Sequence, residues 1–184
     1  MGILDHFFPP PDPAASWTRR TSRLDCVLDD PSFADLRLGD PADAISRFGT
    51  PENNRPTRDG LYDYPSLGFE IDATNGRVDC FCFRWDGMDP AKHFQGTFTW
   101  NGRPVKLGPS VRENDVRAAF GEPYWIDDEL GEKIFFYEYR RGEVEWQVEF
   151  VRGRLTVLMI MTPGILADPQ VRADYKVTRP WPPL

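Results

Sequence analysis

LGPSVRENDVRAAFGEPYWIDDELGEKIFFYEYRRGEVEWQVEFVRGRLTVLMIM, residues 107–161, reads as a capped helix followed by three strands. Ser110 and Glu113 form a capping box: the serine hydroxyl serves the Glu113 amide, and the carboxylate reaches back. Val116, Ala119 and Phe120 recur at helical spacing as the apolar stripe. Gly121 and Pro123 stop the helix, one as a left-handed cap and the other by refusing continuation. Strands follow over 133–139, 143–150 and 154–161. In the middle one Val144, Trp146, Val148 and Phe150 point one way, while Glu143, Glu145, Gln147 and Glu149 point the other. That alternation predicts a sheet packed on one face and wet on the other. Residues 155–161 barely alternate, as expected of a central strand covered on both faces.

An earlier stretch has the same order of parts: LGDPADAISRFGTP (38–51), then LYDYPSLGFEIDATNGRVDCFCF (61–83). Asp40 is the expected N-cap, Pro41 suits the first helical position, and Ala44, Ile45 and Phe48 make the stripe. Two strands are expected before it, over 24–28 and 33–38. Asn101-Gly102, flanked by 97–100 and 104–107, is a hairpin signal because both residues tolerate positive φ. Four pieces match in order. Leu38-Gly39 answers to Leu107-Gly108, and Phe48-Gly49-Thr50-Pro51 to Phe120-Gly121-Glu122-Pro123. Leu61-Tyr62-Asp63-Tyr64 answers to Phe136-Tyr137-Glu138-Tyr139, and Asn75-Gly76-Arg77-Val78 to Arg152-Gly153-Arg154-Leu155. The expected fold class is therefore α+β, built from two tandem repeats. Each has a β-hairpin, a short helix and a three-stranded antiparallel meander, with the helices packed on one face of the sheet. The chain divides into an N-terminal proline-rich arm (1–21), repeat 1 (22–86), a linker (87–95), repeat 2 (96–163) and a C-terminal short helix with a proline-rich tail (164–184), together one compact unit. In the arm Ile3, Leu4, Phe7 and Phe8 fall at helical spacing and Trp17 is a second anchor. In the tail Trp181 anchors residues 179–184 along the chain's own surface.

This pattern of leucine-glycine, helix, phenylalanine-glycine-x-proline, polar loop and meander resembles the SmpA/OmlA-type repeat, which also builds the β-lactamase inhibitor protein. The resemblance implies a helix layer against an antiparallel sheet in a bacterial protein that works by binding other proteins, as inhibitors, assembly lipoproteins and toxin-immunity partners do. It supplies no catalytic residues. The chain departs from the lipoprotein members: it shows neither their signal peptide nor a lipidated cysteine.

Composition narrows the function further. The chain has 184 residues, 22 basic against 29 acidic, for a formal net charge of −7. It lacks the cationic footprint that a nucleic-acid backbone demands. Its apolar runs are too short to span a bilayer, and MGILDHFFPPPDP has no basic n-region, so neither membrane nor secretion is expected and the cytoplasm is. Cys26, Cys80 and Cys82 read as reduced thiols. With His93 they form the one thinkable metal set, which lacks the paired short spacings of a four-ligand zinc site. No metal or cofactor is expected. Neither is an enzyme, because no nucleophile, zincin or phosphate-loop motif is present. What remains is a protein-binding module, with a small-molecule or metal-binding domain and a structural self-associating domain as alternatives. Tyr62, Tyr64, Trp125, Tyr137 and Tyr139 are the candidate contact residues, because tyrosine and tryptophan bury interface area at low entropic cost.

Overall fold

The structure is a computed structural model that describes residues 12–129, 131–139 and 142–183. The expected helical turn at Ile3–Phe8 lies outside the described residues. Among the described residues twelve strands run in chain order. The first six are β1 (Asp25–Val27), β2 (Ser32–Phe33), β3 (Leu36–Arg37), β4 (Leu61–Tyr64), β5 (Phe69–Asp72) and β6 (Cys80–Arg84). The rest are β7 (Thr97–Trp100), β8 (Arg103–Val105), β9 (Trp125–Glu129), β10 (Glu132–Tyr139), β11 (Val144–Val151) and β12 (Arg154–Met161). The helices are short: α1 (Pro56–Asp59), α2 (Glu113–Phe120) and α3 (Pro169–Asp174).

The strands form two sheets. The larger has the order β4-β5-β6-β12-β11-β10-β9, and the smaller β3-β2-β1-β7-β8. The larger sheet is antiparallel throughout and joins the two meanders through β6 and β12, with Cys82 opposite Met159. In the smaller sheet β1 runs parallel to β7, with Asp25 opposite Thr97. Strands from opposite halves of the chain thus complete one sheet, where the sequence predicts two separate hairpins. Parallel neighbours cannot be joined by a tight turn, so local turn signals do not reveal them.

One core lies between the smaller sheet and one face of the larger. Phe33 on β2 meets Phe69 and Phe83 of the larger sheet at ring-centroid distances of 4.9 and 5.0 Å. Val144, Trp146, Val148 and Phe150 are buried in the same cluster, as their alternation predicts. β12 is central, between β6 and β11, as expected from its apolar run.

The segment 87–95 is tied to the body at its C-terminal end. Phe94 is buried, its carbonyl accepts the Trp85 indole N–H at 3.0 Å, and its N–H binds the Arg84 carbonyl. A run of polar residues hides one large apolar side chain, and that side chain decides where the run goes.

Both helix starts differ from expectation. Asp40 does not cap: its carboxylate accepts the Arg37 N–H at 2.9 Å, and residues Ala42–Phe48 form a 3-10 helix behind Pro41. In α2 the N-cap is Arg112, not Ser110, and the Asp115 carboxylate accepts the Arg112 N–H at 2.8 Å. Val111 is buried and bonds back to the Gly108 carbonyl, so a turn occupies the residues where the capping box would begin. Of the expected stripe, Val116 is buried, Phe120 half-buried and Ala119 exposed. Replacing Asp115 with alanine should therefore cost about 1 kcal/mol, and Ser110→Ala close to nothing. Urea midpoints in that order would place the cap at residue 112; the reverse order would place it at residue 110.

One strand of each meander, β4 and β10, is fixed to a glycine that ends a short helix earlier in the chain, the 3-10 helix Ala42–Phe48 and α2. Tyr64 Oη donates to the Gly49 carbonyl at 3.0 Å, and Tyr137 Oη to the Gly121 carbonyl at 3.0 Å. The two glycines share an unusual backbone, φ 87° and ψ −166° at Gly49 against φ 84° and ψ −165° at Gly121. A side chain is disfavoured there, so glycine is the natural occupant.

Candidate functional site

Tyr62, Tyr64 and Tyr137 are buried, so they offer no open face to a partner. Tyr62 stacks on Trp17 at 5.7 Å, which makes Trp17 the anchor of the N-terminal segment. Tyr139 is half-buried, donates to the Asp29 carbonyl at 2.9 Å and stacks on Trp146. Trp125 lies on the opposite face of the sheet, where its indole N–H donates to the Tyr175 carbonyl at 3.1 Å. The five aromatics are not brought together. The parity of their strands carries the signal: charged Asp63 and Glu138 alternate with the tyrosines, which puts the tyrosines on the core side.

The second face of the larger sheet is not uniformly wet. Glu145 is 0% and Gln147 4% exposed, against the expectation of a solvated row. Residues after Met161 fold back over them. The Leu166 N–H donates to Glu145 Oε2 at 3.0 Å, Gln147 Nε2 to Glu145 Oε1 at 2.5 Å, and the Tyr175 ring packs on Phe136. Gly164 permits this approach, since a Cβ there would lie 2.5 Å from Glu145 Cβ. Glu138 is the cross-strand partner of Glu145, and both of its carboxylate oxygens are out of solvent with no donor. Two carboxylates have no donor between them, so a hydrogen bond forms there only when one is protonated. Burial, then that shared hydrogen bond and the charge of Glu145, push Glu138 up to about 9.

The other half of this face is acidic. Burial, then repulsion from Glu70 and Asp79, pushes Asp72 up to about 6, while Arg84 pairs with Glu70 at 3.1 Å. Burial raises the thiols of Cys26, Cys80 and Cys82, which holds them in the protonated, unreactive form. Among the described residues no group of three or more His, Cys, Asp or Glu is placed to hold a metal ion.

An open groove of about 810 Å³ separates the β7–β8 hairpin from α2. Trp100, Val105, Val111 and Ala119 supply its apolar lining, and Arg103, Lys106 and Asp115 its charged rim. Trp100 is half-buried and held edge-on by Trp146 at 4.9 Å and Phe120 at 5.9 Å, so one part of the indole is fixed while another faces outward. Asn101 and Gly102 both have positive φ, so the two-residue turn sets Trp100 opposite Arg103. Pro104 stands at a non-hydrogen-bonded position of the edge strand, where its missing N–H blunts strand addition. Trp100, Arg103 and Lys106 are absent from the sequence-derived candidates, although the Asn-Gly hairpin that displays them is plain in the sequence.

No family model and no curated protein matches the chain. Among solved structures it is similar to that of a DUF4309 family protein (YjgB) from Bacillus subtilis subsp. subtilis str. 168. The identity is 9% and the TM-score 0.45, over 80% of this chain and 88% of that one. A likeness that remote carries no argument about function. None of the helices among the described residues is long and apolar enough to cross a membrane.

Proposed function

We propose that this chain is a non-enzymatic protein-binding module that holds its partner in the groove between the β7–β8 hairpin and α2. The observation that carries this reading is Trp100, anchored from behind and displayed beside Arg103 and Lys106, neither of which has an ion pair among the described residues. A fixed aromatic ring flanked by unpaired cations suits a partner segment with an apolar side chain among acidic groups. An inhibitor or toxin-immunity role is one specific form of this function. The three protonated thiols suit the reducing cytoplasm.

The same reading takes the architecture as a tandem repeat with its short helices on the core face. Its support is the recurrence of particular hydrogen bonds. The Val78 N–H binds the Asp40 carbonyl as the Leu155 N–H binds that of Val111. Asn75-Gly76 and Arg152-Gly153 both turn through positive φ, and the tyrosine-to-glycine bonds recur. On this reading Tyr64 answers to Tyr137, two residues away from the match that sequence similarity suggests.

Co-purification from the native cell tests the function. The parent chain should retain a protein that the Arg103→Glu/Lys106→Glu variant loses. Recovery of the free chain alone, or of the same protein with both, would count against the groove.

A further inference from the structure

The C-terminal tail lies on a prepared surface. The single Tyr124 O–H is shared between two successive carbonyls of the tail, with Oη 3.1 Å from that of Arg179 and 2.9 Å from that of Pro180. The Trp181 ring packs edge-on against Tyr124 at 5.8 Å, and the Arg172 guanidinium lies 5.2 Å from its centroid. Beneath that ring is Gly142, where a Cβ would stand 2.8 Å from Trp181 Cζ2. Arg179 donates to the Pro123 carbonyl at 3.3 Å. The Tyr124 backbone is itself held to the sheet through the Phe136 carbonyl. Arg179, Pro180 and Pro182 remain exposed, while Trp181 is half-buried.

These contacts read a proline-rich segment that bends at Arg179 and again at Trp181 and Pro182. Proline has no N–H, so such a segment is recognised through its carbonyls and through rings that pack on it, here by the Tyr124 hydroxyl and ring. We propose that the surface formed by Tyr124, Pro123, Gly142 and Arg172 is a docking site for an Arg-Pro-aromatic-Pro segment of another protein, occupied in cis by residues 179–183. The tail's own sequence is the argument for the occupant, since it is what the surface already holds. Its shallow seating makes exchange feasible. A tethered tail competes at an effective concentration near the millimolar range, so an incoming segment binds well only when the tail is weakened or outbid. This site is separate from the groove beside Trp100, and neither proposal depends on the other.

The test uses the full-length chain carrying Trp181→Ala, which weakens the tail, and a fluorescently labelled synthetic peptide of residues 177–184 as the probe. Fluorescence anisotropy should show saturable binding to this variant, at least about tenfold tighter than to the parent, whose site is self-occupied. Adding Tyr124→Phe to Trp181→Ala keeps the ring but removes the donor, and should weaken the peptide about tenfold. A scrambled peptide should not bind. With all chains folded by circular dichroism, equal binding to parent and Trp181→Ala, or no effect of Tyr124→Phe, overturns the proposal.

Discussion

Replacing Phe33 with alanine should lower the unfolding free energy by about 3–5 kcal/mol, the cost of deleting a phenylalanine from a close-packed core. Phe33 is 0% exposed, and its ring centroid lies within 6.0 Å of those of five other phenylalanines: Phe48, Phe69, Phe81, Phe83 and Phe94. It sits on a two-residue strand of the smaller sheet and touches both the first short helix and the larger sheet. Its loss therefore leaves a void between elements that cannot easily close over it. Edge-to-face pairs add to the burial term. Phe120→Ala, at a half-buried site with Trp100 and Trp146 to spread into, should cost clearly less, about 2 kcal/mol. Urea denaturation at constant m-value checks both. A Phe33→Ala loss below about 1 kcal/mol would mean that the two sheets do not share this core.

The second large effect concerns pH. In the folded chain Glu138 keeps its proton up to about 9, against 4.5 for an unperturbed glutamate. Between those values the unfolded chain releases a proton that the folded chain retains, so stability falls as pH rises from about 4.5 toward 9. Glu138 is only partly buried as a residue and shares its proton with Glu145, so the full linkage value needs discounting, which leaves about 2 kcal/mol between pH 5 and pH 8. Glu138→Gln removes the titration and lets an amide N–H donate to the Glu145 carboxylate. The variant should match the parent at pH 5 and exceed it by about 2 kcal/mol at pH 8. Asp72, Glu149 and Asp63 are also raised and add to the parent's slope, so the measured quantity is the difference between the two chains. Parallel stability curves for parent and variant would refute a protonated Glu138.

The sequence disclosed the parts of this fold that neighbouring residues determine. Val144, Trp146, Val148 and Phe150 declare their buried face because alternation is a local consequence of the pleat. Gly49 and Gly121 declare helix ends, and Asn101-Gly102 a tight turn. The misreadings share one cause, a partner distant along the chain. Glu145 and Gln147 look solvated until Gly164–Leu166 is laid over them. The pairing of β1 with β7 has no local sign at all. At the helix start, Ser110-x-x-Glu113 and Arg112-x-x-Asp115 are both serviceable pairs, and the turn from Gly108 to Val111 chooses between them. Of the proposed binding surface, the hairpin that displays Trp100 was legible, but its separation from α2 by a groove was not. The burial of Tyr62, Tyr64 and Tyr137 has a simpler cause: two aromatics at alternate positions share a face, and which face that is depends on the charged residues between them.

The parallel pairing of β1 with β7 also governs how the chain can be made. Asp25, Cys26 and Val27 wait for Thr97, Phe98 and Thr99, so a nascent chain that has emerged only to Trp85 carries β1 with one flank unpaired. Phe94 and Phe98, which close the aromatic cluster around Phe83, are also still to come. Synthesis from the N-terminus must therefore pass through an interval in which the first half has its helix, its meander and an open seam. Neither half is a self-sufficient product: severed near residue 90, the first should aggregate along that seam, while the two halves supplied together should reassemble into the parent fold.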